Sequence, residues 1–427
     1  MVLSTAARDI ESTTLPNGIR VITEAMPGVR SVSIGLWIGT GSRSEKPAES
    51  GISHFIEHML FKGTTTRTAE DIARQMDSVG GHLDAFTGKE LIGFNVKVID
   101  EHVGMAFGIL ADMLLDPRFS EADIEKEKGV ILEELKMDKD NPETQIHELF
   151  MSHFWPRHPL GRPILGNRKT ITSFNAESLR AWHRRYYSPV NLTVTAAGNL
   201  RHEEFLALVE SHFGALGPAG EIPPVQAPRN HPVLQTRNRR SLQQVHFCIA
   251  APALEASHPL RFACYVMNVI LGGSMSSRLF QNIRERQGLV YSIFSELNMY
   301  RDSGCLGVYG GASPENVRKV VDGVLVEFRR VKESPVEPDE LRRAKDHMKG
   351  SLMLSLESTT ARMGNLARQE LYFRRTFTLD EMVEAIESVT ADEIQALANQ
   401  FFQPATLGVA LLGKLDGLKI ERGELNC

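Results

Sequence analysis

The chain has 427 residues, 42% of them hydrophobic, and a formal net charge of −5 at pH 7. That length is too great for one ordinary core and implies two domains of about 200 residues each. The weak negative charge leaves no basic footprint for nucleic acid, which is excluded as a partner, and no apolar run approaches the length of a membrane span. The first residues, Met1-Val-Leu-Ser-Thr-Ala-Ala-Arg-Asp-Ile10, lack the apolar core of a signal peptide, and Asp9 and Glu11 are residues a transit peptide avoids. Cys248, Cys264, Cys305 and Cys427 are far apart and form no Cys-x-x-Cys pair, so neither a thiolate metal site nor a disulfide framework is expected. A cytoplasmic protein is the reading.

Alternating apolar residues predict strands over 18–23 and 31–37. Gly39-Thr-Gly41 follows the second of them, but Ser44 stands where a dinucleotide fingerprint needs glycine and no suitable acidic residue follows, so that reading falls. The next segment carries chemistry. Ile52, Phe55, Ile56, Met59 and Leu60 recur at helical spacing, and His54, Glu57 and His58 fall within roughly 100° of one another on the opposite face. Two imidazoles four residues apart with a carboxylate between them can hold a metal and activate its water; the alternative is a polar helix face with two incidental histidines. A catalytic zinc takes three protein ligands and keeps a fourth position for water, so a third donor is needed.

A strand is predicted over 92–98 and a helix over 122–136. Ile124, Ile131 and Leu135 define the inward stripe of that helix. Glu127 and Glu134 fall inside it, whereas Glu125 and Glu133 point away. Carboxylates where leucines belong need a cation, a metal or a hydrogen-bond network. Buried salt bridges are the alternative; beside the histidine motif, Glu134 reads as the third metal ligand and Glu127 as the group that holds a ligand or the water from behind.

The strongest organisational feature is a repeat at an offset of 215 residues, which aligns 171–200 with 386–415 without gaps. Each copy reads as a helix, a Pro-containing turn and a strand, and so long a period means duplicated domains. The Pro/Gly-rich stretch between the copies places a linker at 217–229, with domain one at 1–216 and domain two at 230–427. A further strand is predicted over 244–250. The fold class is α+β: two homologous domains, each a mostly antiparallel sheet with helices packed on one face. Small gaps put Tyr265, Asn268 and Val269 opposite His54, Glu57 and His58, and Ser351 opposite Glu134, so the second domain has lost the metal group.

His54-x-x-Glu57-His58, followed by Glu127-Lys-Gly-Val-Ile-Leu-Glu-Glu134, resembles the inverted-zincin peptidases of the pitrilysin family, the M16 group that includes mitochondrial processing peptidase and insulin-degrading enzyme. The resemblance continues through Gly80-Gly-His-Leu-Asp-Ala-Phe-Thr87, Ser276-Ser-Arg-Leu-Phe280 and Arg284 to Tyr291, and the length matches the short bacterial branch. It implies the metallohydrolase fold of that group and zinc-dependent hydrolysis of unfolded peptides in a closed chamber. One Zn2+ per chain would be held by His54, His58 and Glu134, with Glu57 as general base. It further implies that a peptide adds as a strand beside Asp84, Ala85, Phe86 and Thr87, that Arg284 and Tyr291 reach the substrate, and that the chain works as a homodimer or with a related subunit. Many relatives carry Asn where this chain has Asp84. A catalytically silent structural subunit of the same fold is the rival reading.

Overall fold

The structure, a computed structural model, describes residues 8–217 and 226–427, so most of the expected linker at 217–229 lies outside the described residues. The chain divides into two compact units. Among the described residues, the first takes in 8–135, 163–217 and 353–379, and the second 136–162, 226–352 and 380–427. This differs from a cut at the linker in two places: each unit contains a segment from the other half of the sequence.

The first unit holds β1 (Asp9–Thr14), β2 (Arg20–Ala25), β3 (Ser31–Ile38), β4 (His82–Thr87), β5 (Ile92–Ile99) and β6 (Leu192–Gly198). They order as β1-β2-β6-β3-β5-β4, antiparallel except for β2 beside β6. Its helices are α1 (Ile52–Leu60), α2 (Ala69–Asp77), α3 (Val103–Leu115), α4 (Glu121–Asp140, in this unit through Leu135), α6 (Arg168–Ser173), α7 (Ala176–Tyr186) and α8 (His202–Phe213), with α5 (Pro142–Phe154) falling in the second unit. Val32, Ile34, Leu36 and Ile38 of β3 alternate onto one face, where Phe55, Ile56, Phe107 and Trp182 complete a single core.

The second unit repeats the plan with β7 (Leu234–Asn238), β8 (Val245–Ala253), β9 (Val290–Met299), β10 (Gly304–Ala312) and β11 (Gly408–Gly413), ordered β7-β11-β8-β10-β9 with β7 parallel to β11. Its core-side helices are α9 (Arg261–Leu271), α10 (Val317–Glu333) and α14 (Ala391–Phe401); α11 (Pro338–Ser355), α12 (Thr359–Phe373) and α13 (Leu379–Glu387) lie between the last two in sequence. The 215-residue offset carries α7 onto α14 residue for residue and β6 onto β11. Both strands end in a glycine at positive φ, Gly198 (142°) and Gly413 (151°), where a Cβ would lie 2.1 Å and 2.6 Å from a neighbouring carbonyl oxygen. No helix among the described residues is long and apolar enough to cross a membrane.

The fold class is the expected one, with an addition. The second face of each sheet is also covered, by a single helix from the other half of the sequence: α12 in the first unit and α5 in the second. On the outer face of β3 the residues are Ser31, Ser33, Gly35 and Trp37. The Ser33 hydroxyl bonds Thr359 (2.9 Å) and Thr360 (3.0 Å), and Trp37 Nε1 donates to Thr195 (2.7 Å), which itself donates to the Met363 carbonyl (3.1 Å). Three buried carboxylates complete the seat. Glu24 takes both Arg8 and Arg362, Glu370 accepts from Arg20 (2.9 Å), and Glu90 pairs with Arg43 (2.5 Å) and the Tyr372 hydroxyl (3.0 Å).

Removing one partner from a fully buried acid leaves a charge poorly compensated, at a cost of about 3 kcal/mol. Arg362→Met is therefore expected to lower the urea midpoint of the unit markedly, whereas Arg30→Met, whose guanidinium pairs with Asp100 and Glu101 in solvent, leaves it nearly unmoved. Chemical denaturation followed by circular dichroism checks the contrast.

Candidate metal centre

α1 starts at Gly51 in the left-handed region (φ 95°), where a Cβ would meet the Leu165 carbonyl oxygen at 2.5 Å. The buried Glu45 carboxylate accepts from the Gly51 and Ser53 amides (2.8 and 3.0 Å), placing negative charge at the positive end of the helix. Ile52, Phe55, Ile56, Met59 and Leu60 anchor the helix in the core, so the opposite face presents His54, Glu57 and His58. α4 lies across this face with Ile124 and Ile131 buried, which turns Glu127 and Glu134 toward it and leaves Glu125 and Glu133 exposed.

A Glu134 carboxylate oxygen lies 3.7 Å from the Nε2 atoms of both His54 and His58. Ligand atoms of these three residues all fall within 4.8 Å of one another, and they are the only such group of His, Cys, Asp and Glu donors among the described residues. Around a zinc ion with bonds of about 2.1 Å, tetrahedral ligands stand about 3.4 Å apart. Two imidazoles and one carboxylate at this spacing fit a divalent metal and leave one side of the tetrahedron open.

The protonation states agree with that use. His58 Nδ1 lies 2.8 Å from Glu127 Oε1 and is assigned as the donor, which leaves Nε2 with its lone pair on the Glu134 side. Burial, with the adjacent His58 adding to it, lowers the His54 pKa to about 4, so the ring is neutral and able to ligate at pH 7. Glu127 is buried, which pushes its carboxyl up, but hydrogen bonds from His58 and from Lys62 Nζ (2.7 Å) outweigh that and hold it below the usual range. Glu57 is raised, chiefly by burial and against a hydrogen bond from Thr87 Oγ1 (2.5 Å to Oε2).

The expected substrate strand is β4, which among the described residues lies at the edge of the sheet with β5 on one side. Asp84 and Phe86 are exposed on it, and Thr87, at its end, reaches Glu57. Arg284 and Tyr291 lie in the second unit, beside each other. Arg284 sits in a π-helix (Phe280–Arg286), donates to the Tyr291 carbonyl (2.8 Å), pairs with Glu285 and stacks over Phe280. Tyr291 is 83% exposed, on the edge strand β9. Tyr265, Asn268 and Val269 fall on α9 and Ser351 on α11. Sequence reasoning misses Lys62, the Glu45 cap, the Thr87 contact and Tyr187, a buried phenol whose pKa is raised by burial and by the charge of Glu57. Only the spacing of Lys62, one helical turn after His58, is a signal of any kind.

Duplicated α+β units, of which one gathers a metal-donor group, define a two-domain protein of metallohydrolase architecture. Residues 20–168 match the family described as insulinase (peptidase family M16), and residues 173–348 match the peptidase M16 inactive domain. The chain is 41% identical over 393 residues to the "uncharacterized zinc protease YmxG" of Bacillus subtilis, covering 92% of this chain and 96% of that protein. It is 38% identical over 406 residues to an uncharacterized zinc protease of Mycobacterium leprae, covering 94% and 91%. A protease from Helicobacter pylori superposes with a TM-score of 0.88 at 19% identity over 96% of this chain and 100% of the other. The peptidase M16 inactive domain from Pseudomonas fluorescens does so at 0.88 and 19%, over 95% and 98%. The chain belongs to peptidase family M16.

If the phase of α4 sets the donor group, Glu134→Ala abolishes metal retention through gentle purification, Glu133→Ala retains it, and Glu127→Ala is intermediate. Elemental analysis of the three proteins measures this; equal losses at 133 and 134 would overturn the assignment.

Proposed function

We propose that the protein is a zinc-dependent endopeptidase acting on unfolded peptides. The reading is carried by the convergence of His54, His58 and Glu134 beside a carboxylate, Glu57, that makes no part of the donor group and is held at the end of an edge strand. The names of the relatives support zinc as the metal. His54 Nε2, His58 Nε2 and the Glu134 carboxylate would hold one ion per chain, with Glu127 and Lys62 fixing the His58 ring from behind. When bound, zinc supplies Lewis acidity to the peptide carbonyl and brings the acidity of water toward neutral pH.

The chain's own residues supply the rest. Glu57 takes a proton from the attacking water and later delivers it to the leaving amine, and its raised pKa suits both transfers. The free edge of β4 offers backbone groups to an extended peptide, with Asp84, Ala85, Phe86 and Thr87 alongside. Pairing of this kind binds many sequences with loose side-chain selectivity. Arg284 and Tyr291 supply donors to the polarised carbonyl. We further propose a cytoplasmic homodimer; four unpaired cysteines are consistent with a reducing compartment.

Glu57→Gln is expected to keep about one zinc per chain and to lose peptide hydrolysis, read by peptide-library cleavage with and without chelator. Cleavage at the wild-type rate would remove Glu57 as the base, and wild-type protein that retains zinc but cleaves nothing would favour the silent-subunit reading.

For the dimer, Glu57→Gln chains are mixed with chains altered at both Arg284 and Tyr291 under conditions that allow subunit exchange. Recovered activity, up to one intact site per mixed dimer, is the expected outcome. No recovery despite demonstrated exchange would show that each site is completed within its own chain, and an active species that sediments as a monomer would sink the dimer itself.

A further inference from the structure

We propose that Thr87 is a positioning residue for Glu57: the strand that receives the substrate also aims the base. This rests on the reading of Glu57 as general base.

Glu57 hangs from α1 on a side chain with three rotors, and a general base must be held within hydrogen-bond reach of its proton. The Thr87 hydroxyl donates to Oε2, which leaves Oε1 for the water. The hydroxyl is itself well fixed. Thr is stiff at χ1, and Thr87 is the last residue of β4, paired with Ile92 of β5. A peptide adding beside β4 orders the same strand end, so occupancy and alignment of the base are coupled.

The second unit offers a comparison. β9 holds the sheet position of β4, α9 that of α1, and Asn268 stands opposite Glu57 in the repeat. There Ser295 Oγ, on the edge strand, donates to Asn268 Oδ1 at 2.7 Å and also lies 3.1 Å from its backbone carbonyl oxygen. The contact is related rather than equivalent: across the paired strands Ser295 takes the register place of Ala85, two residues before Thr87. In the first unit the acceptor is a carboxylate beside the metal donors.

The test compares Thr87→Val, which keeps shape and strand preference, with Thr87→Ser, which keeps the hydroxyl. Expected for Thr87→Val is a roughly ten- to hundredfold fall in kcat with KM within about twofold, the size of one lost hydrogen bond to a charged group. Zinc content is expected to be unchanged. Thr87→Ser recovers most of the loss. In the inactive Glu57→Gln background, adding Thr87→Val leaves the affinity for a fluorescent peptide unchanged. Ser295→Ala, which removes the hydroxyl contact of the second unit, is expected to leave kcat intact. A kcat for Thr87→Val equal to wild type, a defect confined to KM or peptide affinity, or failure of Thr87→Ser to recover activity would each overturn the proposal. An active Glu57→Gln would instead overturn the base itself, and this inference with it, whereas a dead Glu57→Gln beside a fully active Thr87→Val sinks the positioning role alone.

Discussion

A carboxylate withdrawn from water must be given partners, and much of this structure follows from how its buried acids obtain them. Glu24 and Glu370 are each shared by two arginines, Glu90 pairs with Arg43, and Glu45 collects two amides at a helix start. Glu127 is satisfied by an imidazole and an ammonium. These acids are structural pins, each committed to cationic or amide partners. Glu57 is held differently: a neutral hydroxyl donates to its carboxylate, and burial raises its pKa. The division between acids that hold the protein together and the acid suited to chemistry is a division in what each was given as a partner.

The same constraint explains how far the site is legible in the sequence. Helical phase is a local property, so the side of α4 that carries Glu127 and Glu134 is readable from Ile124, Ile131 and Leu135, and the spacing of His54, Glu57 and His58 places them on one face of α1. Duplication is equally local, since the pairs α7/α14 and β6/β11 keep a constant offset. What does not show is the tertiary partner of each polar side chain. Nothing in the order of residues says that Thr87 will meet Glu57 thirty positions away, or that Glu45 will close the start of α1. The exposure of Tyr291 is likewise invisible, because an aromatic residue in a strand reads the same on a core face and on a free edge.

The boundaries of the units are hidden for a related reason. A helix displays an apolar stripe but not the address of the surface it will cover. α12 presents Met363 and Ala367, and α5 presents Phe150 and Phe154, to sheets formed by the other half of the chain. The polar seat that receives α12, with Arg20, Glu24, Ser33 and Glu90, is distributed over β2, β3 and the loop before β5, and becomes a seat only after the sheet has formed.

The 215-residue offset that relates the two halves also carries α5 onto α12 to within a few residues, so the two covering helices are counterparts that have changed places. A half-length ancestor built on this plan would have had no helix of its own over the outer face of its sheet. It would have satisfied that face by lending its helix to a second identical molecule and borrowing one in return, which is domain swapping. Fusing the two genes would then have turned an exchange between molecules into one within a single chain. Within the present chain, neither half can be removed without uncovering the outer face of the other's sheet.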